Sequence, residues 1–317
     1  GKNLCRNFHA FGALSSVVDA TESGQSTARS IAPDIQVTDS LDDVLRNDQI
    51  QGVALATPAE THAELAIQAM QAGKDVFVEK PMALTLEDAE KMKKVAEETG
   101  RILMVGHLLE YHPAVLKLRE MIASGELGKI NYIYSNRLNF GMVRTEENAL
   151  WSFAPHDVAV ILRLIGQAPM EVSACGGSYL TKGIADTTLS NLRFENESRA
   201  HIFVSWLHPF KEQRLVVVGD KKMAIFNDVS PFWEKLQLYP QNVEFDGPMP
   251  ILKKEDAEFV EHANTEPLRE ECKHFLECIQ SRKQPLTNAQ SGIDVLKVLH
   301  ACQQSIEQNG APVSLRN

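Results

Sequence analysis

The chain has 317 residues, of which 44% are hydrophobic and 23% are charged, with only 18 glycines and 14 prolines. This composition excludes a disordered or fibrous protein, and the length predicts two domains. Lysine and arginine total 32 against 42 aspartates and glutamates, and the net charge of −10 argues against a nucleic-acid partner. A few local cations can still bind a small anionic ligand.

The five cysteines are widely spaced and form no C-x-x-C pair, which argues against a disulfide framework and against a zinc site. No apolar run approaches the ~18 residues of a membrane span, and the chain does not open with a basic and then apolar signal sequence. We therefore expect free thiols, no bound metal, no membrane association and a cytoplasmic location.

The first hundred residues alternate strand-like and helix-like segments. Strands are predicted over 13–18, 34–37, 52–56, 76–78 and 102–105, and helices over 2–11, 28–31, 41–45, 59–72 and 87–99. This alternation predicts an α/β Rossmann domain, a doubly wound parallel sheet covered by helices on both faces. We place this NAD-binding domain at residues 1–106.

Gly1 and Asp19 fit the end of a dinucleotide-binding βαβ unit. In such a unit a glycine-rich turn begins the first helix, and an acidic residue closes the second strand about 20 residues later. Gly1 precedes the first predicted helix, and Asp19 ends the strand that follows. We interpret Gly1 as the last glycine of G-x-G-x-x-G and expect the first strand and two glycines upstream. Alternatively, Gly1 is a tag remnant and Asp19 a solvated strand end.

From about residue 107 the chain is richer in strands. Strands are predicted over 130–138, 171–175, 188–194, 201–206, 215–218 and 223–226, and helices over 113–123, 152–165, 269–279 and 292–308. Short polar turns between several strands indicate antiparallel pairing. We predict an α+β substrate-binding and oligomerisation domain at residues 107–317, with a large and mostly antiparallel sheet. Its C-terminal helix is expected to pack back on the first domain.

Several motifs occur in a consistent order over essentially the whole chain. They are Ala56-Thr57-Pro58 with His62, Glu79-Lys80-Pro81, Gly106-His107, Trp151-Ser-Phe-Ala-Pro-His156-Asp157, Ser205-Trp206 and Gly219. Together they resemble the glucose–fructose oxidoreductase, inositol dehydrogenase and rhizopine-catabolism (Gfo/Idh/MocA) family. The resemblance implies an enzyme, an NAD(P)-dependent sugar or polyol oxidoreductase, that forms a homodimer or homotetramer.

The resemblance further implies that Lys80 and His156 are the catalytic residues. An ammonium at a strand end can stabilise a developing alkoxide, and an imidazole with a pKa near ~6.5 can accept the hydroxyl proton. We place His156 at the start of a helix. The family often has an aspartate four residues before this histidine, where the present chain has Ser152. The alternatives are a solvated strand-end lysine and a helix-cap or core histidine.

The cofactor is expected to be NAD. Asp19 would accept hydrogen bonds from the adenosine ribose, and its charge repels the 2′-phosphate of NADP. Thr57 and Pro58 form a strand-to-helix turn that would border the cofactor, with Glu79 behind it. The full set of cofactor-binding candidates is Gly1, Asp19, Thr57, Pro58, His62, Glu79, Lys80 and Pro81.

Within the family, the runs at 106–113 and 151–156 most resemble members that act on nucleotide-linked amino sugars. We therefore expect oxidation, at C3, of a nucleotide-linked N-acetylhexosamine such as UDP-N-acetylglucosamine, with arginine forks binding the pyrophosphate. The substrate-binding candidates are Tyr111, His112, Arg137, Asn139, Arg144, Asn148, Trp151 and Asp157. Two alternatives stay open: a dehydrogenase of a free polyol or sugar such as inositol, and an NAD-binding sensor with weak catalysis, which Ser152 favours.

Overall fold

The computed structural model describes residues 1–141, 143–240 and 242–316. The chain forms two compact units. The first contains Gly1–Tyr111 and Thr265–Leu296, and the second contains His112–Asn264 and the residues from Lys297 onward. The expected domain limits of 1–106 and 107–317 stay a prediction, because a compact unit is not thereby shown to fold alone.

The helices, in chain order, are α1 (Lys2–Ala10), α2 (Glu22–Ile31), α3 (Leu41–Leu45), α4 (His62–Gln71), α5 (Leu86–Thr99), α6 (Pro113–Ala123), α7 (Ala149–Ile165), α8 (Pro267–Ser281) and α9 (Ala289–Glu307). Single 3₁₀ turns lie at Ala59–Thr61, Leu108–Tyr111 and Phe232–Glu234. The strands are β1 (Ser16–Val18), β2 (Gln36–Thr38), β3 (Gly52–Leu55), β4 (Asp75–Glu79), β5 (Leu103–Gly106), β6 (Ile130–Leu138), β7 (Glu171–Gly177), β8 (Thr187–Arg193), β9 (Arg199–Ser205), β10 (Glu212–Gly219), β11 (Met223–Asn227), β12 (Leu236–Tyr239), β13 (Asn242–Asp246), β14 (Met249–Lys253), β15 (Glu258–Phe259) and β16 (Val313–Ser314).

The first unit contains the predicted parallel sheet, in two pieces. Strands β1 and β2 pair in parallel, and β3, β4 and β5 form a separate three-stranded parallel sheet. Four successive residues of β4, from Asp75 to Val78, are buried, as expected for a strand with both sheet faces covered. The prediction of a Rossmann-like parallel sheet is thus confirmed, whereas the expected strand upstream of residue 1 stays a prediction.

Helices α1 and α8 cover one face of this sheet. Leu4 and Phe8 of α1 share a core with Phe77 of β4, Met104 of β5 and Phe275 of α8. The Phe275 ring meets the rings of Phe8 and Phe77 edge-on, with centroids 6.2 and 5.9 Å apart. Such aromatic contacts add to the free energy of burial and hold the two helices against the strands.

The second unit is built on a nine-stranded sheet with the order β15-β12-β11-β10-β6-β9-β8-β7-β16. All its neighbouring strands pair antiparallel except β6 and β9, which pair in parallel. Helix α7 packs on β6, β8 and β9. The predicted large, mostly antiparallel sheet is therefore confirmed.

Helix α7 begins earlier than the sequence suggested. Its N-cap is Asn148, whose side-chain oxygen accepts the backbone N–H of Trp151 at 3.2 Å, and it ends at Gly166 with φ +78°. The prediction that His156 starts the helix is wrong. This residue lies well inside the helix, directly after the internal Pro155. Within the described ranges, no helix is long and apolar enough to cross a membrane.

Candidate active site

The carboxyl edge of the parallel sheet brings the first group of candidates together. The strand register pairs Leu55 of β3 with Val78 of β4, and Glu79 of β4 with Gly106 of β5. Lys80 follows Glu79 directly, so it leaves the sheet at the edge where doubly wound folds bind their ligands. The side chain of Lys80 is half-buried there.

The start of α1 lies beside the end of β3. Gly1 is the N-cap of this helix and is exposed, and a Cβ on Gly1 would come within 3.8 Å of the Ala56 Cβ. No side chain of the described residues caps α1. The first N–H groups of a helix carry partial positive charge and bind phosphates well. This end of α1 therefore fits the pyrophosphate of a dinucleotide.

His62 connects the turn after β3 to the segment after β4. Its Nδ1 lies 2.9 Å from the carbonyl oxygen of Pro81, and its Nε2 lies 3.0 Å from that of Thr57. A neutral imidazole has one N–H and can donate to only one of these oxygens at a time. Because His62 is fully buried, its role is to hold Thr57 and Pro81 in place. Thr57 and Pro58 are themselves exposed at the edge.

Glu79 lies beneath the backbone of Lys80. The Lys80 N–H donates to Glu79 Oε2 at 3.3 Å. Burial raises the pKa of Glu79, and this hydrogen bond and the charge of Lys80 oppose the rise. A Cβ at Gly106 would approach Glu79 Oε2 to 3.1 Å, so the glycine leaves room for this carboxyl group.

Asp19 lies between β1 and α2 and is anchored locally. Its Oδ1 accepts the side-chain O–H and the backbone N–H of Thr21, at 2.7 and 2.8 Å. These hydrogen bonds hold the pKa of Asp19 below its usual range, so the carboxylate is ionised at neutral pH. A Cβ at Gly24 would lie 2.1 Å from the Asp19 carboxylate, which therefore rests against the start of α2.

In the second unit, Asp157 and Arg137 form a buried ion pair. Arg137 Nε and Nη2 donate to the two carboxylate oxygens of Asp157 at 2.7 and 3.1 Å. The Ser135 hydroxyl donates to the same carboxylate at 2.6 Å. Asp157 is 2% exposed. The Arg137 guanidinium thus connects β6 to α7, and the two N–H groups bonded to Asp157 are not available to a pyrophosphate.

His112 is also buried in the second unit. Its Nδ1 accepts the backbone N–H of Ala114 at 3.1 Å and caps α6, and its Nε2 lies 3.6 Å from Asp228 Oδ1. Burial lowers the pKa of His112 to about 4, although the Asp228 charge opposes this shift. Arg137 and Lys235 also act on Asp228, which links His112 to the Arg137–Asp157 pair.

The remaining candidates of the second unit lie before and within α7. Arg144 is paired with Glu147, with Nε and Oε1 3.1 Å apart. The Trp151 ring meets His300 edge-on at 5.0 Å. Asn148 caps α7, and Asn139 and His156 are half-buried.

Tyr111 belongs to the first unit and lies inside its core. Its hydroxyl is 3.0 Å from the Thr287 Oγ1, and its side chain belongs to the same hydrophobic cluster as Phe77 and Phe275. Burial raises the pKa of Tyr111 above its usual range. A hydroxyl that is buried and hard to ionise is poorly suited to contact a substrate or to act as a base.

Two carboxyl groups that sequence reasoning missed lie near Glu79. They are Glu110, which is buried on the 3₁₀ turn, and Glu271, which is buried on α8. A signal existed for Glu271, because it precedes Phe275 by four residues and Cys278 by seven and therefore shares their apolar helix face. Among the described residues, no three His, Cys, Asp or Glu side chains are arranged to hold a metal.

Rossmann-type units bind dinucleotides beyond the carboxyl ends of their strands, and Lys80 lies at that edge, which points to the class of nicotinamide-dependent oxidoreductases. The family model described as "Oxidoreductase family, NAD-binding Rossmann fold" matches residues 1–107. The model described as "GFO/IDH/MocA C-terminal domain" matches residues 115–225. The chain therefore belongs to the GFO/IDH/MocA family of oxidoreductases, which confirms the resemblance and the enzyme class.

Relatives of known name act on different compounds. The chain is 25% identical to the UDP-N-acetylglucosamine 3-dehydrogenase of Acidithiobacillus ferrooxidans, over 91% of this chain and 90% of that protein. It is 26% identical to the NAD-dependent scyllo-inositol 2-dehydrogenase of Bacillus subtilis, over 86% and 80%. It is 27% identical to the 2,7-anhydro-N-acetylneuraminate hydratase of Mediterraneibacter gnavus, over 63% of this chain and 57% of the hydratase.

A solved structure of the A. ferrooxidans dehydrogenase has the same fold. It superposes with a TM-score of 0.84 at 23% sequence identity, covering 97% of this chain and 94% of that one. A crystal structure of a protein from Sinorhizobium meliloti, described as a putative myo-inositol dehydrogenase, superposes with a TM-score of 0.82 at 20% identity, covering 100% of this chain and 98% of that one.

Proposed function

We propose that this enzyme oxidises a secondary hydroxyl, at C3, of a nucleotide-linked N-acetylhexosamine such as UDP-N-acetylglucosamine, with NAD as the hydride acceptor. The reaction type is supported by the position of Lys80, which is half-buried and lies directly beyond the carboxyl edge of the NAD-binding unit. The substrate rests on the near full-length similarity to the A. ferrooxidans enzyme and on the runs at 106–113 and 151–156.

The residues of the first unit would bind and orient the cofactor. NAD supplies a hydride-accepting nicotinamide when it is bound. The end of α1 at Gly1 would hold its pyrophosphate, and Thr57 and Pro58 would border it in positions fixed by His62. Asp19 is ionised and favours the free ribose hydroxyls of NAD over the phosphate of NADP. The Thr21 hydrogen bonds keep that charge in place.

Lys80 and His156 would divide the work on the substrate hydroxyl. The Lys80 ammonium stabilises negative charge that develops on the hydroxyl oxygen. His156 accepts the hydroxyl proton on its neutral imidazole. In place of the aspartate common four residues earlier, this chain has the buried Ser152. The Asp157 carboxylate next to His156 is already occupied by Arg137 and Ser135, so it anchors the helix rather than the imidazole.

A dehydrogenase of a free polyol is the second candidate, because the similarity to the scyllo-inositol 2-dehydrogenase is as high in identity and covers most of the chain. The paired state of Arg137 and Arg144 fits this alternative, since a free polyol brings no pyrophosphate that needs an arginine. A catalytically weak sensor remains an outcome of the experiment below.

Initial rates of NADH formation with UDP-N-acetylglucosamine, with scyllo-inositol and with myo-inositol test the proposal. We expect turnover with the nucleotide sugar and no turnover with the inositols. The reverse result would establish the polyol dehydrogenase, and a ligand-dependent rise in melting temperature without NADH formation would establish the sensor.

The pH profile of His156→Asn tests the base. For oxidation, kcat/KM of the wild type should fall on the acid side with one ionisation, because only neutral imidazole accepts a proton. In His156→Asn the fall of kcat/KM on the acid side should be absent, and kcat/KM itself should be at least ~100-fold lower. Ser152→Asp serves as the matched variant, since a carboxylate partner should move the same limb to higher pH. An acid limb that survives in His156→Asn would exclude His156 as the base.

The same proposal includes a homodimer or homotetramer formed through the outer face of the nine-stranded sheet. On this face the Tyr134 ring stacks on His201 with centroids 5.2 Å apart, and Leu189 is exposed. Light scattering during gel filtration measures the mass of the assembly. Tyr134→Glu should yield monomers, and an unchanged mass would move the interface elsewhere.

A further inference from the structure

The carboxyl group of Glu271 has an environment that does not suit a negative charge. The residue is 1% exposed, and its Oε1 has no hydrogen-bond partner within the described part of the chain. It lies on the apolar face of α8, one residue before the buried Cys272 and four before Phe275. An ionised carboxylate without a donor would be strongly destabilised at such a position.

The ionisable groups that act on Glu271 are themselves acidic. The charges of Glu79, on β4, and of Glu110, on the 3₁₀ turn before α6, both raise the pKa of Glu271. Tyr111 and Cys272 border the same cluster, and burial keeps the pKa of each above its usual value, that of Cys272 at about 12. The nearby cation Lys80 acts on Glu79.

Three carboxyl groups in one poorly solvated cluster cannot all be ionised. The buried Oε1 of Glu271 has no donor among the described residues, and a protonated carboxyl needs fewer donors than a carboxylate and can itself donate. Burial and the charges of Glu79 and Glu110 all favour this neutral form, and accordingly the pKa of Glu271 is well above its usual value.

We propose that Glu271 is a protonated carboxylic acid in the working enzyme and acts as a positioning residue for Glu79. In this form it bears no negative charge and can donate its O–H to an acceptor. By staying neutral it lets the Glu79 carboxylate remain where its Oε2 accepts the Lys80 N–H. The part of this proposal that concerns Lys80 rests on the proposed function; the protonation of Glu271 does not.

The consequence is a loss of order at the carboxyl edge when Glu271 ionises. A second negative charge beside Glu79 would repel its carboxylate and disturb the backbone of Lys80. The groups that face this charge from the packed elements are Glu79 from β4, Glu110 from the 3₁₀ turn and Cys272 from α8 itself. Activity should therefore fall at alkaline pH as Glu271 loses its proton.

Infrared spectroscopy of the full-length protein tests the protonation directly, without activity. The wild type at neutral pH should show the C=O band of a protonated carboxyl, and Glu271→Gln should lack it. The matched control is Glu277→Gln, an exposed glutamate on the same helix, which should leave the band unchanged. A wild-type spectrum without this band, or a band that persists in Glu271→Gln, would overturn the proposal.

Unfolding by urea at several pH values gives an independent readout. A folded-state pKa above the unfolded value of ~4.3 means that the folded chain binds more protons, so the wild type loses stability as pH rises. The equilibrium constant for unfolding should increase by up to about tenfold per pH unit relative to Glu271→Gln. Parallel pH dependences of the two proteins would overturn the proposal.

The pH profile of turnover then tests the positioning role. The amide of Glu271→Gln is neutral and similar in size to the protonated acid, so its kcat/KM at neutral pH should stay within about tenfold of the wild type. The fall of kcat/KM at alkaline pH that Glu271 causes in the wild type should be absent in Glu271→Gln. If the infrared band depends on Glu271 but the limb is unchanged, Glu271 holds a proton without positioning Lys80. If no substrate is turned over, the proposed function fails while the two preceding measurements still decide the protonation.

Discussion

Replacing Asp157 with asparagine should unfold the second unit at markedly lower urea concentration. The carboxylate accepts two N–H groups of Arg137 and the hydroxyl of Ser135, all at 3.1 Å or less, in a site with almost no solvent. Asparagine keeps the shape but leaves the guanidinium of Arg137 buried without the counter-charge that accepts its hydrogen bonds. Breaking one partner of a buried ion pair typically costs about 3–5 kcal/mol.

Tryptophan fluorescence is the appropriate probe, because the three tryptophans of the chain, Trp151, Trp206 and Trp233, all lie in the second unit. We expect a lower urea midpoint with an unchanged slope, the signature of lost stability without a change in the surface exposed. Arg137→Met combined with Asp157→Leu should recover most of the loss, since the double variant leaves no buried charge.

Glu171→Gln is the control for this experiment. Glu171 forms an ion pair with Arg193 at 3.2 Å in the same sheet, but both side chains are partly exposed, at 34 and 39%. Partly exposed pairs contribute about 0–1 kcal/mol, so this variant should unfold almost like the wild type. If Asp157→Asn is no less stable than Glu171→Gln, the view that α7 is fastened to β6 through a desolvated ion pair is refuted.

Three further predictions concern the site and its pH dependence. Lys80→Met keeps the packing of the side chain but removes its charge, so kcat should fall by at least ~100-fold with little change in NAD binding, and near-normal turnover would contradict this role. The pKa of His112 is lowered to about 4, so between about pH 6.5 and 4 the unfolded chain binds a proton that the folded chain does not, and stability is lost as pH falls through this window. This effect lowers the free energy of unfolding by at most about 1.4 kcal/mol per pH unit, and urea unfolding of His112→Asn should not show it. If the free energy of unfolding of His112→Asn depends on pH as in the wild type, another group is responsible. Asp19→Ala combined with Ala20→Arg should shift the ratio of kcat/KM toward NADP, and an unchanged ratio would mean that β1 does not border the adenosine ribose.

The order and type of the main elements could be predicted because local signals mark them. Apolar runs rich in β-branched residues gave the strands, and Gly100 and Gly166 end α5 and α7 in the left-handed conformation that glycine adopts readily. Strands β12 to β16 were not predicted. They have two to five residues each, and the exposed β14 and β15 carry no buried face that would produce an alternating pattern.

The site could be predicted only as far as it follows from strand ends and motifs. Lys80 was predicted because the Glu79-Lys80-Pro81 motif resembles the family, and its place after a parallel strand puts it at the ligand-binding edge. The pairing of Arg137 with Asp157 could not be predicted, because it joins β6 to α7 and depends on how the helix docks. The same limit applies to Tyr111, because its position in the run at 106–113 gave no indication that its hydroxyl points into the core.

The parallel pairing of β6 with β9 affects how the protein reaches its native state. These two strands lie at the centre of the sheet, and the chain between them includes α7, β7 and β8. Central pairings between residues so far apart in sequence form slowly, because a long loop must be closed before its contacts contribute. Until β6 and β9 have paired, with α7 packed on both strands, their facing edges are open to pairing with other chains. The helix that carries the proposed base is thus also a determinant of folding yield, and some substitutions in α7 will lower the amount of enzyme recovered rather than its turnover.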